Sequence, residues 1–338
     1  MIDRPKYGIL LANTGTPSAP KPRAVRKYLS RFLMDRRIAP MNRAAWWLIL
    51  HLFILPIRGR KSAAKYASIW TDQGSPLLVA HERLALGLRR LLEDEGFEGV
   101  EVACGMSFGE PGIASALGAL RGAGCDKVLV LPLYPQSAYS TTGAVYDGIE
   151  RALAKLRWDV ECDLIDNYHD NPTYTRAIAA SITHAGFQAD SKDKLLFSFH
   201  SIPLKDIEAG DTYELQCGAS SLQIASELGI DRKQWTIGYQ CRFDRGRDWL
   251  APFTKDVLNR WAEAGVGRVF FICPGFSVDC LETLYDVVFE MKKHYLMTCT
   301  VLGTPVREND FVYVPCLDKT KAHLTVLRDI LDPYLKEQ

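Results

Sequence analysis

Short apolar runs alternate with longer amphipathic stretches along most of this chain. The runs 7–13, 128–131 and 269–273 are rich in Ile, Leu, Val or Phe, and a turn containing Gly or Pro follows each. Between such runs, stretches such as 77–95 place apolar residues three and four positions apart, which is typical of an amphipathic helix. Because strands that alternate with helices usually pair in parallel, the pattern predicts an α/β fold. The number of strands is sufficient for two doubly wound, parallel-sheet units.

The stretch 274–290 follows the last strongly apolar run and changes character within a few residues. Pro274 and Gly275 break the strand, and a helix is expected to start near Ser277 or Asp279, whose side chains can cap free N–H groups. Three acidic residues then recur every four positions: Glu282, Asp286 and Glu290. Residues at this spacing share one side of an α-helix. That side is either a solvated polar face or a track for a divalent cation or protons.

Several predicted strand ends carry unusual loops, and in a parallel sheet such ends meet at one edge. The loops are 14–17, 134–142, 198–203 and 274–282. His200 lies at the tip of one predicted strand, where it is either a structural residue or a functional one. Together with Glu282 it would offer a neutral imidazole and a carboxylate. Such a pair can bind a divalent metal or accept protons near neutral pH.

The segment 38–58 is the most apolar part of the chain. Its central part, 44–57, is apolar apart from His51, and is shorter than the roughly 20 residues that span a bilayer. Trp46 and Trp47, flanked by basic residues, suit a membrane interface or the rim of a ligand cleft. A buried core helix is the alternative.

Composition excludes some classes of function. The formal net charge of the 338 residues is +1, which gives no electrostatic footprint for nucleic acid. Nine scattered cysteines without a CxxC pair indicate a reducing, cytoplasmic compartment. The first residues lead directly into a strand and do not resemble a signal peptide. No glycine-rich dinucleotide or phosphate-binding motif and no G-x-S-x-G motif occurs, which disfavours nicotinamide, flavin, nucleotide and hydrolase chemistry.

An ordered set of motifs resembles the ferrochelatase family over essentially the whole chain. The motifs are LLANTGTP, WTDQGSPL, LPLYPQSAYSTTG, SFHSIP, GDTYELQC, YQCRF with WLAPF, and PGFSVDCLETL. The resemblance implies two similar Rossmann-like domains with a porphyrin cleft between them. It also implies insertion of ferrous iron, as a substrate, into a free-base porphyrin.

The resemblance assigns roles to individual residues. It implies that His200 and Glu282 are catalytic and contact the metal, without dividing proton acceptance from metal contact between them. It places Asp286 and Glu290 on the metal path, along a helix with π character. It places the segment 38–58 at the lip of the cleft, in contact with the membrane surface.

Four positions are assigned to the porphyrin: Thr14, Ser107, Phe108 and Phe276. Many family members carry Arg and Tyr where this chain has Ser107 and Phe108, so an arginine able to meet a propionate is missing here. Thr14 stands where coproporphyrin-type members often carry Tyr, which favours protoporphyrin IX. No cysteine follows Cys316, so no [2Fe–2S] cluster is expected.

The predicted organisation has three parts. Residues 1–165 form an N-terminal Rossmann-like domain that includes the lip 38–58. Residues 166–316 form a C-terminal Rossmann-like domain with His200 and an acidic helix, 279–291. Residues 317–338 form a last helix that packs back on the body.

The predicted function is a ferrochelatase-like lyase of haem biosynthesis that requires no cofactor. Its partners are a porphyrin and a divalent metal, with no nucleic acid. It is expected in the cytoplasm, peripheral to the inner face of the membrane. The alternatives are a chelatase for another metal or tetrapyrrole, and a non-catalytic haem- or porphyrin-binding protein.

Overall fold

The computed structural model describes residues 6–39, 41–242, 244 and 246–335. These residues divide into a first unit, 6–167 with 327–335, and a second unit, 168–326. The predicted domains ended at 165 and 316, whereas the structure divides after 167 and again within the last helix. Residues 1–5 and 336–338 of the predicted domains lie outside the described residues.

The first unit contains one four-stranded parallel sheet with the strand order β2-β1-β3-β4. Its strands are β1 Tyr7–Asn13, β2 Glu101–Met106, β3 Lys127–Pro132 and β4 Glu161–Leu164. Its helices are α1 Pro22–Leu33, α2 Arg43–Ile49, α3 Leu55–Ile69, α4 Pro76–Asp94, α5 Ile113–Gly122 and α6 Thr142–Leu156. All seven residues of β1 are buried, as expected for a central strand with helices on both faces.

The second unit repeats this arrangement with the order β6-β5-β7-β8, again all parallel. Its strands are β5 Lys194–His200, β6 Trp235–Gln240, β7 Val269–Ile272 and β8 Phe311–Val314. Its helices are α7 Pro172–His184, α8 Leu204–Glu208, α9 Tyr213–Glu227, α10 Thr254–Glu263 and α11 Lys292–Leu302; α12, Lys321–Leu335, runs from this unit into the first. Two parallel sheets of the same order confirm the predicted α/β class with two similar Rossmann-like units.

Residues 43–58 of the apolar segment 38–58 belong to one helical run. This run comprises α2, a π-helical stretch Leu50–Ile54, and α3. Pro40 lies outside the described residues. Within the described ranges, no helix is both long enough and apolar enough to cross a bilayer.

The start of one helix differs from the prediction. The acidic helix was expected from Ser277 or Asp279, but the helical conformation begins at Leu281. It continues as a π-helix over Glu282–Met291 and then as α11.

Candidate active site

His200 is the last residue of β5, at the strand tip predicted for it. Its ring Nδ1 lies 2.7 Å from the carbonyl oxygen of Ser201. Because a carbonyl oxygen can only accept, Nδ1 carries a hydrogen and donates it. In the neutral ring, Nε2 therefore keeps its lone pair. This Nε2 lies 3.8 Å from Oε2 of Glu282, so the structure brings the two predicted catalytic residues together.

The carboxyl group of Glu282 is in an unusual environment. The side chain as a whole is 36% exposed, so one edge faces open space. Its Oε2 atom, however, is enclosed and has no hydrogen-bond partner among the described residues. Burial raises the pKa of Glu282; the charge of Asp286 also raises it, while His200 acts in the opposite direction. The carboxyl therefore keeps its proton to a higher pH than an ordinary glutamic acid.

The acidic row lies along the π-helix Glu282–Met291. A π-helix has i→i+5 hydrogen bonds, so its turns are wider than the α-helical turns inferred from the residue spacing, and it is often found at functional sites. The three acids are partly exposed, and each directly precedes a buried residue: Thr283, Val287 and Met291. The row thus follows the border between the core and the surface. Only Glu282 has an ion-pair contact of 4 Å or less with His200 among the described residues.

The turn before the π-helix is held by hydrogen bonds that the sequence did not predict. The Asp279 carboxylate does not cap backbone N–H groups; its Oδ1 accepts from the hydroxyls of Thr283 (2.7 Å) and Tyr313 (2.5 Å). The Asp279 N–H donates to Oδ1 of Asp318 at 2.7 Å. Ser277 is also no cap, since its Oγ pairs with the hydroxyl of Tyr168. Tyr313 and Asp318 are more than 30 positions away, so no local pattern could reveal them.

Phe276 lies on this same turn. Its N–H donates to the carbonyl oxygen of Cys273, and its ring is partly buried against the core of the second unit. Part of the ring surface is therefore open, as a contact with a flat ligand requires.

The three porphyrin-assigned residues of the first unit follow the ends of β1 and β2. The N–H of Ser107 donates to the carbonyl oxygen of Asn13, and the N–H of Phe108 donates to that of Thr14. The Thr14 hydroxyl pairs with the hydroxyl of Tyr134 at 2.6 Å. Gly15 allows the loops after β1 and β2 to lie this close together, because a Cβ at Gly15 would lie 2.8 Å from the backbone nitrogen of Gly109. Its φ of +101° also favours glycine.

Ser107 and Phe108 differ in exposure. Phe108 is 8% exposed and packs edge-on against Phe32, with ring centroids 5.2 Å apart. The Ser107 side chain is half-buried, and its Oγ has no hydrogen-bond partner among the described residues. Both residues line a cavity of about 890 Å³ in the first unit. Five cationic side chains also line it: Arg31, Arg36, Arg43, Arg151 and Lys155.

Metal ligation was assigned to His200, Glu282, Asp286 and Glu290. Within the part of the chain that the structure describes, no three His, Cys, Asp or Glu side chains form a cluster that could hold a metal ion. Of these four residues, His200 and Glu282 lie 3.8 Å apart, and the other two acids follow along the helix.

Comparison with known proteins gives the family. The family model named Ferrochelatase matches residues 6–334. The chain belongs to the ferrochelatase family. A curated ferrochelatase of Nitrosococcus oceani is 39% identical over 331 residues, covering 98% of this chain and 87% of that protein. Another, from Azoarcus sp. (strain BH72), is 43% identical over 316 residues, with 93% and 84% covered.

Solved structures give the fold independently. A structure of SirB from Bacillus subtilis with Fe3+ has a TM-score of 0.52 at 13% identity, covering 77% of this chain and 94% of that one. DR2241 from Deinococcus radiodurans, a multi-domain protein with structural similarity to chelatases, also has a TM-score of 0.52 at 13% identity, covering 97% of this chain and 55% of that one. At such identity, this likeness concerns the arrangement of strands and helices alone.

Proposed function

We propose that this protein inserts ferrous iron into a free-base porphyrin, with protoporphyrin IX as the substrate, in haem biosynthesis. Membership of the ferrochelatase family supports iron insertion. The observation that carries the assignment of residues is the pair formed by His200 Nε2 and Glu282 Oε2, 3.8 Å apart.

The pair is suited to one small cation at a time. The separation of 3.8 Å is too long for a direct hydrogen bond. It is within the range that two ligands of one divalent ion can span, since each ligand bond is about 2 Å long. A neutral His200 directs a lone pair towards Glu282, so two electron-rich atoms face each other. A proton or a metal ion between them removes that repulsion.

Porphyrin metallation needs such a pair for a chemical reason. Two pyrrole protons must leave the ring while a divalent cation enters. Groups that accept protons near neutral pH can take up the pyrrole protons. The raised pKa of Glu282 brings this carboxyl group closer to neutral pH. We leave the division of proton acceptance and metal contact between His200 and Glu282 open, because the same geometry serves both.

Asp286 and Glu290 would supply the metal along the π-helix. Carboxylates spaced along the border of the core can hold a divalent ion partly stripped of water before it reaches the pair. Phe276, Thr14, Ser107 and Phe108 would contact the porphyrin, with Phe108 restricted to its small exposed edge.

The reaction needs no electron carrier, and we propose that the protein works without a cofactor or an iron–sulfur cluster. We propose a cytoplasmic location, since the buried cysteines Cys125, Cys217 and Cys299 are free thiols, and free thiols are typical of reducing compartments.

We also propose that the segment 38–58 contacts the membrane surface. Six large apolar side chains there are about half exposed or more: Met41 52%, Trp47 49%, Leu48 50%, Leu52 61%, Phe53 66% and Ile57 61%. Basic side chains flank them in sequence at Arg43 and Arg58. Apolar residues with basic neighbours favour insertion at the headgroup level of an anionic membrane. A segment that contacts the membrane surface without crossing the bilayer would let a poorly soluble planar substrate pass from the membrane to the protein.

A direct assay tests the proposal. Purified protein is mixed anaerobically with Fe(II) and either protoporphyrin IX or coproporphyrin, and the metalloporphyrin is followed by absorbance; Zn(II) provides a fluorescent control. Turnover with protoporphyrin IX, at a higher kcat/KM than with coproporphyrin, is the expected result. Tight porphyrin binding without insertion of either metal would favour the haem-binding alternative. Insertion of another metal or into another tetrapyrrole in preference would favour the paralogue.

A further inference from the structure

Asp318, which is distant in sequence, hydrogen-bonds to the turn that leads into the π-helix at two positions. Asp318 donates its N–H to the carbonyl oxygen of Ser277 at 3.0 Å. Its Oδ1 accepts the N–H of Asp279 at 2.7 Å. A φ of +46° allows Asp318 to make both bonds, although this conformation is unfavourable for a non-glycine residue. The residue thus fixes the chain immediately before and after Val278.

Further hydrogen bonds connect Asp279 to Thr283, the residue beside Glu282. Asp279 Oδ1 accepts the Thr283 hydroxyl, and Thr283 Oγ1 in turn accepts the N–H of Cys280. Thr283 is fully buried and directly follows Glu282 in the π-helix. The position of the Glu282 backbone therefore depends on hydrogen bonds that originate at Asp318.

The hydrogen bond to the Asp279 N–H also brings the Asp318 carboxyl group near enough to the Asp279 carboxylate for their charges to interact. Asp279 is 6% exposed, and the Asp318 side chain is partly buried. The donors to the Asp279 carboxylate are hydroxyls, which carry no charge. Two ionised carboxylates that interact in a poorly solvated place repel each other, and a proton on Asp318 removes this repulsion.

The other titratable groups around the pair are neutral at pH 7 or exposed. Burial raises the pKa of the Tyr313 hydroxyl and of three thiols far above their usual values: Cys273, Cys280 and Cys316. Burial lowers the pKa of His323 to about 4, so this imidazole, which donates Nδ1–H to the Asp318 carbonyl oxygen, is uncharged. Lys319 is an exposed cation that favours the ionised form of Asp318. Glu282 is the next carboxyl group, beyond Thr283.

We propose that Asp318 is a positioning residue for Glu282, and that it holds the turn 277–283 closed while its own carboxyl group, bonded to the Asp279 N–H, stays protonated. This role rests on the proposed function, since it concerns the same Glu282. Burial and the Asp279 charge raise the pKa of Asp318 to about 7, in agreement with a carboxyl group that holds its proton up to neutral pH. Loss of that proton at higher pH places two negative charges together and loosens the turn.

If Asp318 is protonated in the folded protein, stability should depend on pH in a definite way. A carboxyl whose pKa is about 7 when folded and about 4 when unfolded binds more protons in the folded state between these values. Its contribution to stability is present below about pH 4 and is lost as the pH rises through about 7. Asp318→Asn keeps an oxygen for the Asp279 N–H but cannot ionise. We expect the melting temperature of Asp318→Asn to exceed that of the wild type increasingly from pH 4 to 8, by about 2–4 °C at the upper end.

Two further readouts separate positioning from a merely structural role. The wild-type kcat should fall as the pH rises above about 7, and this fall should be absent from Asp318→Asn, with an unchanged KM for porphyrin. Asp318→Ala, which removes the acceptor, should lower kcat at every pH. Infrared difference spectra should contain the C=O band of a protonated carboxylic acid in the wild type near pH 6, and Asp318→Asn should lack it. Asp190→Asn, at an exposed position, is the matched control and should resemble the wild type in all three measurements.

An identical pH dependence of melting temperature in wild type and Asp318→Asn, with the infrared band unchanged, would overturn the proposal. If Asp318→Asn does not fold, Asp279→Asn serves instead: it removes the neighbouring charge but not the burial of Asp318, so the pH dependence of the melting temperature should weaken. An unchanged pH dependence in Asp279→Asn would equally overturn the proposal. Melting and infrared measurements need no turnover. A wild type that inserts no metal would thus refute the proposed function, while the proton on Asp318 would still be judged by these two measurements.

Discussion

The two units of the molecule have the same strand order, yet they place different chemistry at corresponding positions. β1 and β5 occupy the same place in their sheets. β1 is followed by Thr14, whose hydroxyl pairs with a tyrosine, whereas β5 ends in His200, whose Nε2 faces a carboxyl group. Repetition of the fold has therefore not repeated the site. Substitutions in the second unit should change kcat and metal use, and those in the first unit should change KM and membrane binding.

The largest effect should come from the pair His200–Glu282, to which we assign the catalysis. His200→Ala and Glu282→Gln should each lower kcat by on the order of 100-fold or more, because each removes a group that accepts a proton or contacts the metal. Porphyrin binding, measured by fluorescence quenching, should be retained. His184→Ala and Glu263→Gln, at exposed positions of the same unit, are matched controls. Near wild-type kcat in a folded His200→Ala protein would remove this residue from the mechanism.

The apolar segment 38–58 of the first unit should give the next largest effect. Trp47, Leu52 and Phe53 are exposed, so replacing all three with Ser should not damage the core. Vesicle binding should weaken by on the order of 100-fold, since even partial burial of three large apolar side chains contributes several kcal/mol. The KM for porphyrin presented in vesicles should rise, while kcat with detergent-dissolved porphyrin should not change.

Leu50 provides the comparison for that experiment. This side chain is fully buried, so Leu50→Ala should cost about 2–5 kcal/mol of stability and leave vesicle binding per folded molecule unchanged. A collapse in the melting temperature of the triple Ser variant would instead mean that the whole segment belongs to the core.

The acidic row should respond more weakly than the pair. Asp286→Asn and Glu290→Gln should raise the Fe(II) concentration at half-maximal rate by about three- to tenfold, because each removes one charge from the proposed metal path at a partly solvated position. Their kcat at saturating iron should stay within about twofold of the wild type. Unchanged dependence on iron in both variants would favour a solvated polar face.

The sequence predicted the strands, and the closeness of His200 to Glu282, better than it predicted which apolar residues are buried and which are exposed. The run that became β7 is apolar at every position, and its neighbours Pro274 and Gly275 mark its end. The segment 38–58 is also apolar, but a run without a polar side has no periodicity to separate buried Trp46 from exposed Trp47. Only packing against the rest of the first unit makes that distinction.

The π-helix and the Asp318 contact show a second limit. Acids every four residues fit an α-helix and a π-helix alike, so spacing could not select the wider turn over Glu282–Met291, which only the family resemblance indicated. Asp318 bonds to Asp279 across 39 positions, and nothing near it in the sequence marks it. Non-local hydrogen bonds of this kind depend on the way β8 and the following loop return to the turn.

The smallest effect should follow from restoring the common residues at the end of β2. Ser107→Arg with Phe108→Tyr adds a guanidinium at a half-buried position and a hydroxyl to a ring that packs against Phe32. Five cationic and three acidic side chains line the cavity beside Ser107, so the new charge is added among charges of both signs, which together with solvent screen it. A propionate contact there should contribute about 0.5–1 kcal/mol, the range of an exposed ion pair, or a two- to fivefold lower Kd. Titration of a porphyrin dicarboxylate against its dimethyl ester measures this, because only the dicarboxylate should bind more tightly. An equal gain for both ligands would mean that the new residues contact the ring, and a gain above tenfold would mean that the site is far less solvated than Ser107 indicates.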